Sequence, residues 1–462
     1  MSDYLQMVER KLAAVPPSGI ASGIDLPGCL FPHQSALTQW ALKRGRAAIF
    51  ADTGLGKMLM ELVWSQAINR HTGGPVIGFC PLAVAAQIAA EGARFGIKVT
   101  VCREASDVDP HGINVANYDR LHKFDIPMFA AVFLDESSII KHHDTRTFAA
   151  LSAACRNIPF KLCATATPAP NDWTELGTHA EFLGICTRQE MLAEFFTHDG
   201  GDTSVWRLKG HARQIFWQWV CTWGALIRRP SDLGFDDSAY NLPPLHLNEH
   251  TVQADMPLNG MLFAMEAQSL SERRDARRSS MAERVAACAA VVNADAQPWV
   301  VWCDLNAEGE ALRKAIPGAV EIAGADDTDT KEQRLRDFAE GRIRVLVTKP
   351  SIAGWGLNWQ HCARMAFVGV TDSFEAYYQA VRRCWRFGQK REVHVHIFAS
   401  DAEGAVVANL RRKERDAIAM AESLSAETRD AVMQEVTGSK RNTNTYNAGQ
   451  RVRVPDFIRS AA

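Results

Sequence analysis

The chain has 462 residues, 47% of them hydrophobic, and its charges nearly cancel to a net −2. That length predicts two domains with appendages rather than one core, and no apolar run approaches the ~20 residues that span a bilayer. The first ten residues lack the apolar core of a signal and the 11 cysteines form no C-x-x-C pair, so the pattern predicts a protein of a reducing cytoplasm without membrane, zinc or disulfide chemistry.

In chain order, residues 1–25 form an extension. From Leu26 onward, strand-like runs alternate with helical stretches: Ala47–Phe50, Val76–Cys80, Val99–Cys102, Ile113–Ala116, Ala130–Leu134 and Lys161–Ala164. A Trp-rich and Phe-rich stretch, Trp173 to Ile227, reads as helical and leads to the connector Asn241-Leu242-Pro243-Pro244. The alternation resumes with Trp299–Cys303, Ala319–Ile322, Val345–Thr348, Met365–Val368 and Val393–Phe398. This predicts an α/β protein of two tandem parallel sheets flanked by helices, over 26–245 and 246–415. Residues 401–436 read as a charged helical extension. From Thr437 to Ala462 the chain reads as an extended or mobile tail with Lys440, Arg441, Arg451, Arg453 and Arg459 against Asp456. The region 401–462 is a candidate docking segment for a protein partner.

The first sheet carries the strongest chemical signal. Ala51-Asp52-Thr53-Gly54-Leu55-Gly56-Lys57-Met58 follows an apolar strand. A buried strand, a glycine-rich turn and a lysine at the next helix build a triphosphate cradle, with backbone N–H groups facing the phosphates. Gly54 and Gly56 permit the turn, Thr53 contributes to it and Lys57 brings the charge. The position after the lysine ordinarily holds Mg²⁺ through a hydroxyl, and Met58 offers a thioether, a poor ligand for a hard cation. Downstream, the run Ala130–Leu134 ends in Asp135-Glu136-Ser137-Ser138. An Asp-Glu pair alone is commonly a solvated turn. After a buried strand and a phosphate loop it reads as Asp135 for Mg²⁺ and Glu136 polarising a water.

These residues, with others, resemble the superfamily 2 helicase-type motors, nearest the SWI/SNF-type ATPases, over roughly 26–415. Phe31-Pro32-His33-Gln34 resembles the glutamine motif, which implies that Gln34 reads adenine. Ala164-Thr165-Ala166-Thr167-Pro168 resembles the coupling motif, and implies that role for Thr165 and Thr167 together with Ser138, which stands where the family has histidine. Arg228-Arg229-Pro230 through Leu242-Pro243-Pro244 resembles the closing stretch of a first lobe. Thr348-Lys349 with Gly354-Trp355-Gly356-Leu357-Asn358 resembles motif V. Gln379-Ala380-Val381-Arg382-Arg383-Cys384-Trp385-Arg386-Phe387-Gly388-Gln389 fits Q-A-x-x-R-x-x-R-x-G-Q throughout. Arg383 and Arg386, three apart, are expected on one helix face, with Arg386 as the arginine finger and Arg383 as partner of the γ-phosphate and the acid pair.

The resemblance implies two RecA-like lobes that close on ATP and Mg²⁺ and move along double-stranded DNA. The implied nucleic-acid contacts lie around 81–87 and at Asn117, Tyr118, Thr348, Lys349, Gly356 and Asn358. A strand-separating or annealing helicase on DNA or RNA uses the same engine. Met58 and Ser138 leave open a weakly hydrolysing, ATP-gated clamp. Trp355 and Trp359 read more readily as core than as base-stacking residues, and Arg273-Arg274 with Arg277-Arg278 as a solvated face. The lack of accessory modules suits a bacterial or phage protein.

Overall fold

The computed structural model describes residues 17–21, 24–82, 84–169, 172–199, 202–252, 278–353, 357–369, 373–400, 412, 415 and 428–438. The first sheet has seven parallel strands: β1 (Arg46–Ala51), β2 (Val76–Cys80), β3 (Val99–Val101), β4 (Ile113–Asn117), β5 (Ala131–Asp135), β6 (Phe160–Thr165) and β9 (Gly224–Ile227). Their spatial order is β3-β4-β2-β5-β6-β1-β9. Every residue of β2, β4 and β5 is buried, as expected of strands covered on both faces by helices. Because β5, β6 and β1 are neighbours, the turns that follow them lie side by side at the carboxyl edge of the sheet. That edge is where ligands bind in open α/β sheets.

The second sheet is also parallel, with β10 (Leu245–Val252), β11 (Trp299–Trp302), β12 (Val320–Glu321), β13 (Val345–Thr348), β14 (Arg364–Phe367) and β15 (Val393–Ser400) in the order β10-β15-β14-β11-β13-β12. All eleven predicted strand runs are strands within a residue or two. The stretch Trp173 to Ile227 differs from the expectation. It holds helices Leu176–Leu183, Arg188–Phe195 and Arg213–Cys221, but also an antiparallel hairpin, β7 (Phe196–Asp199) with β8 (Asp202–Leu208), and it ends in β9. Four residues, Gly-Ala-Leu-Ile, are too short to announce a strand. Only pairing with Ala48–Ala51 of β1 makes them one.

A helix over 428–437 returns to the first lobe. Val432 enters the core beneath β1, Glu435 pairs with Arg44, and Arg429 Nη2 donates to Ser231 O at 2.8 Å. This part of the extension is therefore docked on its own chain and is not a free arm. Residues 439–462 and Arg273, Arg274 and Arg277 lie outside the described residues; Arg278 is exposed. Among the described residues no helix is long and apolar enough to cross a membrane.

Candidate nucleotide site and the joint between the lobes

The phosphate loop has the backbone its glycines imply, with Gly54 at φ 94° and Gly56 at φ 82°. A side chain would clash at either position. A Cβ on Gly54 would lie 2.8 Å from Cβ of Phe387 in the other lobe, and one on Gly56 would lie 2.1 Å from Gln34 Nε2. Thr53 N donates to Asp52 Oδ1 at 2.6 Å. Lys57 folds inward and donates to Ala51 O at 2.8 Å, so it rests on the loop's own carbonyls. Gln34 sits under the loop: Nε2 donates to Leu55 O and Oε1 accepts from Phe31 N, both at 3.0 Å. Both ends of this amide are engaged within the protein, so in this conformation Gln34 braces the loop instead of offering itself to a base. Aromatic rings stand beside it. Phe387 stacks on Tyr240 with centroids 4.6 Å apart, and Phe31 meets both edge-on. A cleft of about 320 Å³ opens here between Asp52, Thr53, Leu55, Arg228, Tyr240 and Arg382.

The acid pair lies across the loop. Asp135 and Glu136 are buried. Burial, and then the neighbouring Glu136, push the Asp135 carboxyl up to about 7 against the pull of Lys57 and Arg383. Among the described residues Glu136 is the one non-glycine with positive φ, 52°. That costs about 1–3 kcal/mol and marks a position held by its surroundings. Its carboxylate accepts from Thr165 Oγ1 at 3.2 Å, and Thr165 Oγ1 accepts from Thr167 N at 3.1 Å. Thr167 Oγ1 in turn accepts from Gln379 Nε2 of the second lobe at 3.3 Å, and Gln379 Oε1 accepts from Arg383 Nη2 at 2.8 Å. A continuous line of hydrogen bonds thus joins Glu136 in one lobe to Arg383 in the other. Ser138 is not part of it: its hydroxyl is buried without a partner. Instead Ser137 Oγ meets His179 Nε2 at 3.1 Å, and burial lowers that imidazole to about 4, which keeps it neutral.

Arg383 and Arg386 converge, though not on a helix face. The helix Phe374–Val381 ends before them and they lie in the turns that follow. Both guanidinium groups donate to Leu357 O, at 3.0 and 3.1 Å. Arg383 is wholly enclosed, and burial lowers its pKa against the pull of Glu136 and Asp135. Burial, and then Arg383, lower Arg386 to about 10, and Arg386 Nε has no partner. Two cations held together beside two carboxylates match a site that receives a polyanion.

A second lobe-to-lobe joint involves residues that sequence reasoning missed. Arg382 Nη2 lies 3.0 Å from Asp52 Oδ2, and Tyr378 OH donates to Asp52 Oδ1 at 2.8 Å. Arg382 also covers the rings of Tyr378 and Trp385. Burial raises the Asp52 carboxyl, but Arg382 and Tyr378 outweigh it and hold the group below the usual carboxylate range. The only signal in the sequence was an acid inside the phosphate loop. Arg382→Ala is expected to weaken lobe association by roughly 2–5 kcal/mol, because it leaves Asp52 enclosed without its cation. Small-angle scattering of the nucleotide-free protein would then show a larger radius of gyration; an unchanged radius would mean that this pair does not hold the lobes together.

The donor chemistry around the acid pair suits magnesium. Asp135 presents a carboxylate, and both oxygens of the buried Glu61 lack hydrogen-bond partners. Met58 packs against the apolar core of the first lobe. Carboxylate oxygens of this kind fit a hard divalent cation. Glu136→Gln is expected to lower hydrolysis by about 10²–10⁴-fold, since the amide cannot take the proton of the attacking water. ATP binding should be retained, as filter binding can show; an equal loss of both would make Glu136 structural.

The expected nucleic-acid contacts separate into two groups. Asn117 lines a cleft of about 350 Å³ with Arg103, Arg120 and Arg336, and Lys349 and Asn358 are half-buried. Tyr118 and Thr348 are buried and already engaged. Tyr118 OH donates to Asp135 O at 2.7 Å, and Thr348 Oγ1 donates to Ile322 O at 3.3 Å. Neither side chain can reach a nucleic acid from there, and Tyr118 instead fixes the strand end that presents Asp135. Trp359 is core, stacked on Trp302 at 5.8 Å. Gly356 and Trp355 lie outside the described residues.

Residues 299–388, from β11 through both arginines, match the helicase conserved C-terminal domain. The match lies within the second lobe, and a phosphate loop and an acid pair face it from another parallel lobe. No curated protein matches the chain. Among solved structures, the Sulfolobus solfataricus SWI2/SNF2 ATPase core in complex with dsDNA aligns over 92% of this chain and 99% of that one, at 15% identity and a TM-score of 0.41. That likeness is too loose to bear on what this chain does.

Proposed function

We propose that this chain is an ATP-driven translocase on double-stranded DNA, of SWI/SNF type. What carries the reading is the line Glu136–Thr165–Thr167–Gln379–Arg383. It makes the hydrolytic residue of one lobe sensitive to the position of the other, as a motor that converts ATP state into lobe movement requires. ATP enters between the lobes with its triphosphate on the loop at Gly54–Lys57, where Lys57 exchanges the loop carbonyls for the β/γ oxygens. Arg383 and Arg386 approach the γ-phosphoryl from the opposite lobe, and Glu136 accepts the proton of the attacking water. Magnesium bound with the nucleotide would be held by Asp135 and would supply charge neutralisation at the phosphates. Loss of the γ-phosphate removes what Arg383 and Arg386 grip, the lobes part, and repeated closure advances them along the backbone.

Steady-state ATPase with and without duplex DNA tests this reading. Stimulation of roughly tenfold or more is expected, together with displacement of a triplex-forming strand; turnover indifferent to duplex would sink it. Met58, half-buried against the core where a hydroxyl would serve the metal, favours a second reading, a clamp that closes on ATP and hydrolyses it slowly. That clamp would retain DNA in the presence of ATP without displacing the third strand.

A further inference from the structure

Glu61 lies one turn beyond Lys57 on the helix Lys57–Thr72. Its side chain is 1% exposed and neither carboxylate oxygen has a hydrogen-bond partner. A carboxylate shut away without donors is unfavourable unless a charge is supplied from elsewhere. The charged groups that face it are Asp135 and Glu136 at the end of β5 and Lys57 on its own helix. Lys57 leans away onto the loop carbonyls, while Arg383 of the second lobe faces Asp135 and Glu136. Of the three carboxyl groups Glu61 is therefore the one left, among the described residues, without a hydrogen-bond donor, a place for a further cation.

Helix geometry gives the reach. Side chains on a helix lean toward its N-terminus, and residues three apart share a face. Glu61 therefore leans back toward Met58, which is half-buried and packs against the apolar core. A magnesium ion bound with nucleotide takes six oxygens, of which one or two come from protein carboxylates and others from phosphates and water. Asp135 offers the first carboxylate.

We propose that Glu61 is a second carboxylate ligand of the nucleotide-bound divalent cation, replacing the hydroxyl that Met58 does not provide. The assignment rests on the nucleotide reading above. It makes Met58 and Glu61 a compensating pair: the oxygen lost at the loop is recovered one turn down the same helix face. Glu61 contributes a charge where a hydroxyl contributes a dipole, so the site keeps a hard donor set with no sulfur in it.

The test is Mn²⁺ binding followed by electron paramagnetic resonance on the full chain, alone and saturated with ADP. Glu61→Gln should weaken Mn²⁺ in the ADP complex by about 10–100-fold, a range in which even indirect supports of a metal fall. ADP affinity in EDTA should stay within about threefold, since the amide keeps the shape and removes a charge that repels phosphate. Adding Met58→Thr to Glu61→Gln should recover most of the Mn²⁺ affinity, because it restores an oxygen at the loop. Should Glu61→Gln fail to fold, Glu61→Asp withdraws the carboxylate by one methylene and should weaken Mn²⁺ in the same sense. Mn²⁺ affinity equal to wild type in the folded variant overturns the role of Glu61. Wild-type protein that binds no ADP at all overturns the nucleotide reading itself, a separate result.

Discussion

Lys57→Ala is expected to lower kcat/KM for ATP by about 10³-fold or more and to remove any response to duplex DNA. In a dry site the loss of one preorganised donor costs ~10²–10³ in rate, and here the donor carries a full charge that also binds the ground state. Lys57 is buried, and the neighbouring cations are engaged elsewhere: Arg382 is paired with Asp52, and Arg383 and Arg386 are tied to Leu357 O in the other lobe. The fold should survive, because among the described residues the hydrogen bonds of the Lys57 side chain run only to the carbonyls of Ala51 and Asp52. Steady-state ATPase beside a thermal melt checks both halves. Activity near wild type would remove the phosphate-loop assignment.

Arg386→Ala is expected to lower turnover by about 10³–10⁵-fold while ATP affinity changes only a few-fold. An arginine delivered from a second lobe acts on charge that develops at the transferring phosphoryl, so its loss appears in the transition state and not in ground-state binding. The geometry separates it from its neighbour. Arg383 is spent on Gln379 O, Gln379 Oε1 and Leu357 O, whereas Arg386 makes one bond to Leu357 O and keeps Nε unpaired. The less committed guanidinium is the one free to move onto a phosphate. Single-turnover hydrolysis at saturating ATP isolates the effect. If Arg383→Ala cost the larger factor in that assay, the finger would be Arg383.

The functional consequence of lobe closure follows from these contacts. Asp52–Arg382 and Thr167–Gln379 join residues more than 200 positions apart, and the first of them ties the phosphate loop itself to the second lobe. On the proposed function, binding and lobe attachment would share the same few side chains, and phosphates would compete directly for Lys57, Arg383 and Arg386.

Much of this was legible in the chain by itself, because local rules wrote it. Buried parallel strands are continuous apolar runs, so Ala47–Phe50 and Val345–Thr348 announced themselves without knowledge of their partners. A turn that needs positive φ twice needs glycine twice, and Gly54 and Gly56 therefore marked the loop. The acid pair Asp135-Glu136 acquired meaning from the strand before it. What the tertiary structure decided depends on neighbours remote in sequence. Tyr118 and Thr348 carry hydroxyls suited to a phosphate backbone, yet folding spends them on Asp135 O and Ile322 O. Gln34 looked like a base reader and is a brace, since Leu55 and Phe31 occupy both ends of its amide. Glu61 carries no signal in the sequence. Its significance rests on donors it lacks, and a missing partner becomes visible only when every surrounding atom is in place.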